Sequence, residues 1–74
     1  MSAIDMQFTG ILRDWSEDTY YKCIWGTIYG DIHERFPDGK PIHTSRVMKL
    51  DREAGIVWTW SGNVYKLEEE KVDA

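Results

Sequence analysis

The chain has 74 residues, 13 acidic against nine basic side chains for a net charge of −4, and a single cysteine. That length supports one domain near the lower limit for a self-sufficient core. The negative charge argues against broad binding to nucleic-acid backbones, which rests on neutralising phosphates, and the lone Cys23 excludes an intrachain disulfide or a cysteine-based metal site.

In chain order, residues 1–5 are expected to fray and residues 6–12 (MQFTGIL) to form a first strand in which Gly10 is a candidate bulge. Residues 13–19 (RDWSEDT) read as a loop, with Ser16, Glu17 and Asp18 also suited to capping a single helical turn. Residues 20–31 (YYKCIWGTIYGD) are strand-like. They place Tyr21, Cys23, Trp25, Thr27 and Tyr29 on one face and Tyr20, Lys22, Ile24, Gly26 and Ile28 on the other. Both faces are largely apolar, so the strand is central or meets a partner. Gly26 and Gly30 offer the bends a small barrel needs at its corners.

Pro37-Asp38-Gly39 predicts a turn, because proline presets φ and Asp and Gly accept the positions after it. A third strand is expected over residues 42–50 and a turn over 51–55. Residues 56–67 (IVWTWSGNVYKL) carry the strongest local signal, a hairpin. With Gly62 and Asn63 as a two-residue loop, Trp58 faces Leu67 and Trp60 faces Tyr65, and Ile56, Trp58 and Trp60 share the buried face with Tyr65 and Leu67. Val57, Thr59, Val64 and Lys66 fall on the opposite face. The single β domain thus spans residues 1–67, and residues 68–74 form an acidic tail expected to be disordered in part. The expected architecture is all-β, four or five antiparallel strands in a small barrel or strongly curved sheet.

No apolar run approaches the ~20 residues of a membrane-spanning helix, and the start MSAIDMQF lacks an export-signal pattern. A soluble protein of a reducing, cytoplasmic compartment is expected. Charge is unevenly spread. Residues 1–18 hold four acids against Arg13, residues 68–74 hold four against Lys71, and residues 19–67 hold seven bases against five acids. Acidic ends therefore bracket a mildly basic body.

The candidates for chemistry are few. His33 and His43 with Glu34 match no compact metal-ligand spacing, and Ser45 and Cys23 lack the oriented histidine and glycine-rich elbow of a nucleophile. No cofactor motif is present, and a non-enzymatic protein is expected. His43, Thr44, Ser45 and Arg46 form a possible anion or nucleotide site, with Arg able to grip a phosphate bidentately. An aromatic such as Trp58, Trp60, Tyr65, Trp25 or Tyr29 can serve as stacking partner. Ten aromatics exceed what so small a core needs, so some are expected at an interface, as in a homodimer. Asp14, Trp15, Glu17, Asp18, Tyr20 and Tyr21 are the candidate partner-binding surface.

Residues 30–47 (GDIHERFPDGKPIHTSRV), with the hairpin that follows, resemble a pattern of short phage and prophage proteins. In that pattern an RFPDG turn leads to an I-x-T-S strand and a closing V-Y-x-L strand. The resemblance covers about half of the chain and transfers no catalytic residue. What it implies is context: small, acidic, cofactor-free proteins of the anti-CRISPR kind, which bind and block a host protein or ribonucleoprotein in the bacterial cytoplasm. The leading expectation is an inhibitor of a host defence component acting by direct contact. The alternatives are sequestration of an anionic nucleotide signal and a small virion or assembly protein.

Overall fold

The computed structural model describes residues 8–72. The expected fraying of residues 1–5, and residues 6–7 of the expected first strand, lie outside the described residues. Six strands follow in order: β1 (Gly10–Asp18), β2 (Cys23–Tyr29), β3 (Lys40–His43), β4 (Val47–Asp51), β5 (Ile56–Thr59) and β6 (Val64–Leu67). The protein is all-β. The strands form one open, mixed sheet in the order β3-β2-β1-β6-β5-β4, with β1 and β6 parallel and the other neighbours antiparallel.

Of residues 13–19, expected as a loop, only Thr19 lies in a turn, since β1 runs through Asp18. What makes the stretch look turn-like is a bulge. Arg13 pairs with Thr27 and Ser16 with Trp25, so Asp14 and Trp15 together oppose Gly26. Asp14 takes the positive φ of +53° that such a bulge requires, and aspartate tolerates it better than most residues. The extra residue turns Leu12 and Trp15 to the same side. Both enter the core with Ile24, Ile28, Ile42, Val57, Tyr65 and Leu67, while Phe36, Val47 and Leu50 pack at its margin. Gly10, expected as the bulge, pairs regularly with Tyr65.

The expected strand over residues 42–50 is split. Its first part, β3, pairs with β2, and its second, β4, pairs with β5 at the far edge of the sheet. Residues 44–46 form the corner. There the Thr44 amide donates to the Ile24 carbonyl (2.9 Å) and the Val47 amide to that of Lys22 (2.7 Å), while the Arg46 carbonyl accepts from Trp60 N–H (2.7 Å). Both edges of the open sheet, β3 and β4, thus belong to one continuous run of chain.

The hairpin of residues 56–67 forms, but in another register. Trp58 faces Val64 rather than Leu67. The loop has three residues, Trp60, Ser61 and Gly62. It is closed by Gly62 N–H donating to Thr59 O (2.9 Å) and Thr59 N–H to Asn63 O (3.0 Å), with Gly62 at φ +91°. This is a turn followed by a glycine bulge. An odd-numbered slip exchanges the faces. Val57 and Thr59, not the tryptophans, join Tyr65 and Leu67 inside, and Trp60 is left 74% exposed.

The acidic tail is also placed. Glu68 N–H donates to Leu12 O, Trp15 N–H to Glu69 O and Lys71 N–H to Trp15 O, so residues 68–71 continue the β6 course alongside β1. Residues 73–74 lie outside the described residues. Among the described residues no helix is long and apolar enough to cross a membrane.

Candidate functional site

At the corner where β3 passes into β4 lies a pocket of about 370 Å³ lined by Tyr21, Cys23, Trp25, His43, Thr44 and Arg46. Strand pairing builds it. β2 and β3 align so that Trp25 lies opposite His43, and their rings sit 4.7 Å apart between centroids at a tilt of 42°. Tyr21 arrives from the turn that leads into β2.

That turn is organised by Asp18. Its carboxylate accepts hydrogen bonds from the amides of Tyr20 and Tyr21 and from the indole N–H of Trp25, each at 3.0 Å. The Tyr21 amide, the Trp25 indole and the Tyr20 amide hold the Asp18 carboxyl below its ordinary range, against the small upward pull of desolvation. One side chain thus fixes the backbone under two tyrosines and the orientation of a tryptophan. Tyr20 and Tyr21 are 81% and 69% exposed, Trp25 is 46% exposed, and the two tyrosine rings meet edge to face at 4.7 Å.

Of the residues expected to hold an anion, His43, Thr44 and Arg46 come together and Ser45 does not. Ser45 Oγ lies 2.9 Å from Ser61 Oγ and accepts from the Ser61 amide, bracing the hairpin loop. Thr44 is buried, and its hydroxyl is engaged within the fold, accepting from Ile24 N–H and donating to Ser45 O. The exposed polar groups left at the pocket are His43 and Arg46. Cys23 is buried beside them. Burial, followed by the charge of Asp18, pushes its thiol up, which works against a nucleophilic thiolate.

The expected partner surface is divided by the fold. Trp15 is 5% exposed and belongs to the core; the bulge at Asp14 is what turns it inward. Glu17 pairs with Arg52 (2.8 Å), and Arg52 also reaches Glu70 (3.1 Å) while its guanidinium lies over the Trp15 ring. Arg13 pairs with Glu68 (2.9 Å). Three acids of the two flanks are thereby spent tying the tail to the rest of the molecule. Asp14 stays exposed, and Asp18, Tyr20 and Tyr21 stand together at the pocket.

Trp25, expected only as one of several candidate stacking partners, lines this pocket, and Cys23, outside both expected site sets, does too. Trp25 is marked in the sequence only by its place in an apolar strand, and its pairing with His43 joins segments separated by a long loop. Cys23 carries no local signal at all. A second cluster, around Asp31, is structural. The Asp31 carboxylate, fully buried as a side chain, accepts from the amides of His33, Arg35 and Phe36 and from the Arg35 guanidinium. Among the described residues no group of three His, Cys, Asp or Glu side chains could hold a metal ion, and His33 and His43 lie in separate elements. Comparison of the chain with protein-family models, curated proteins and solved structures finds no match.

Proposed function

We propose that the protein is a non-enzymatic, phage-type binding module that blocks a host defence component by direct contact, using the end of the sheet that carries Tyr20, Tyr21 and Trp25. The observation that carries this reading is the exposure of three aromatics, Tyr20 and Tyr21 on a turn and Trp25 on β2, all held by one carboxylate. Aromatic anchors dominate binding energetics at protein surfaces, and a side chain already fixed before contact loses less entropy on binding. Asp18 supplies that fixation. The resemblance of residues 30–47 to short phage proteins supports the choice of target class. Pairing of Glu17, Glu68 and Glu70 with arginines leaves the aromatic end, rather than the acidic flanks, as the stronger candidate surface.

The test is capture of a host partner from a bacterial lysate, read by native mass spectrometry, which also reports subunit number. The double variant Tyr20→Ala/Tyr21→Ala loses the partner while its melting temperature stays that of the parent, and Trp60→Ala keeps it. Capture by the double variant at parental levels would move the surface elsewhere.

A further inference from the structure

Arg46 differs from the other arginines of the chain. Arg13, Arg35 and Arg52 each pair with a carboxylate, whereas Arg46 has no such partner among the described residues and is exposed at the pocket mouth. Its backbone is pinned, since its carbonyl accepts from Trp60 N–H and the next amide, that of Val47, donates to Lys22 O, both at 2.7 Å. A cation without a counterion is thus held at a rigid corner.

Beside it stand two rings whose positions are also set. Trp25 is anchored through its indole N–H to Asp18 and leans on His43 at 4.7 Å. With the N–H spent, the indole offers a ligand its π face rather than a hydrogen bond. Tyr21 borders the same space. A free guanidinium next to a fixed aromatic face complements a ligand that joins a flat ring to an anion. A pocket of about 370 Å³ lies within the range of small-ligand sites. A cationic ligand would meet Arg46, no carboxylate lines the pocket, and Asp18, bonded to the Trp25 indole, is already engaged three times.

We infer that this pocket takes a nucleotide unit, its base stacked on Trp25 and its phosphate held by Arg46. The inference rests on the reading that this end of the molecule is its contact surface, and it names what that surface recognises. The chain's overall charge does not oppose it, because Glu17, Glu68 and Glu70 are paired with arginines within the fold and one phosphate requires one local cation. The unit can come as a free nucleotide or as part of a single strand, such as one displayed by a ribonucleoprotein.

Calorimetry on the full chain with adenosine monophosphate, adenosine, ribose 5-phosphate and a short single-stranded RNA tests it. Adenosine monophosphate or the RNA binds saturably, and Arg46→Ala weakens that binding about tenfold, the loss expected for one charge-assisted contact. Trp25→Ala weakens it about tenfold or more, and adenosine and ribose 5-phosphate bind more weakly than adenosine monophosphate. A preference for the RNA makes a strand the source; equal affinity makes it the free nucleotide. No binding of any probe at millimolar concentration, or binding that is unchanged in Arg46→Ala, overturns the inference. Tyr20 lies outside the pocket lining, so partner capture by the Tyr20→Ala single variant still reports separately on the contact surface.

Discussion

Trp15 and Gly26 meet across the bulge between β1 and β2: a Cβ on Gly26 would stand 3.2 Å from the Trp15 Cβ and 3.3 Å from the Arg13 carbonyl oxygen. The largest core side chain thus depends on a missing one opposite. Gly26→Ala is expected to destabilise by about 1 kcal/mol and Gly26→Val by about 2–3 kcal/mol, the range for overpacking a tight site. Urea unfolding of the three proteins checks the order, and a Gly26→Val protein as stable as the parent would mean that the bulge gives way freely.

Gly55 and Gly62 both have positive φ, +72° and +91°, yet their surroundings differ. A Cβ at Gly55 would lie 2.9 Å from the Leu67 carbonyl oxygen, whereas nothing approaches one at Gly62 within 4 Å. Gly62→Ala carries only the conformational cost, about 1–2 kcal/mol, and Gly55→Ala must exceed it because backbone cannot step aside. Equal melting temperatures for the two variants would contradict this.

Asp31 is expected to make the fold sensitive to acid. Burial raises its carboxyl, but the amides of His33 and Arg35 and the Arg35 guanidinium outweigh that and hold it below its ordinary value. The folded form therefore binds this proton less readily than the unfolded chain. Its contribution is fully present above about pH 4 and is lost as pH falls through the lower, folded value. Asp31→Asn is expected to cost about 2–3 kcal/mol at neutral pH and to flatten the acid limb of stability against pH. An unchanged acid limb would remove Asp31 from this role.

Deleting residues 68–74 takes away the amide donations of Glu68 and Lys71 to β1, the carbonyl that receives Trp15 N–H, and the carboxylates that face Arg13 and Arg52. The exposed ion pairs contribute little, while three backbone bonds sum to about 2–4 kcal/mol. Hydrogen exchange at the Trp15 amide should accelerate most. Protection equal to that of the full chain would show that the tail does not hold β1.

The hairpin offers a direct contrast of faces. Val57 is fully buried and Trp60 largely exposed, so Val57→Ala is expected to cost about 2 kcal/mol and Trp60→Ala less than about 0.5 kcal/mol. Thermal melts of the two single variants decide it. The opposite order would restore the register with a two-residue loop.

How much of this was legible follows from the range of the interactions. The β class, the turn at Asp38-Gly39 and a hairpin within residues 56–67 are written in local composition, because β-branched and aromatic runs punctuated by Gly, Asn and Asp act over a few residues. Alternation grouped Val57 with Thr59 and Tyr65 with Leu67 as the structure does. Which face turns inward was not local, since a loop of three residues rather than two moved Trp58 and Trp60 out and Val57 in. The bulge at Asp14 was concealed for a related reason, its polar, turn-like residues interrupting the alternation that marks a strand.

The sequence by itself determined the β class, the single thiol and the presence of an aromatic excess in a mildly basic body. Only the tertiary structure decided that β1 lies parallel to β6, that residues 42–50 divide between opposite edges of the sheet, and that Trp25, His43 and Arg46 share one pocket. Each of these joins segments distant along the chain. Their pairing is selected by the burial of one common core, a condition on the whole molecule that no window of neighbouring residues records.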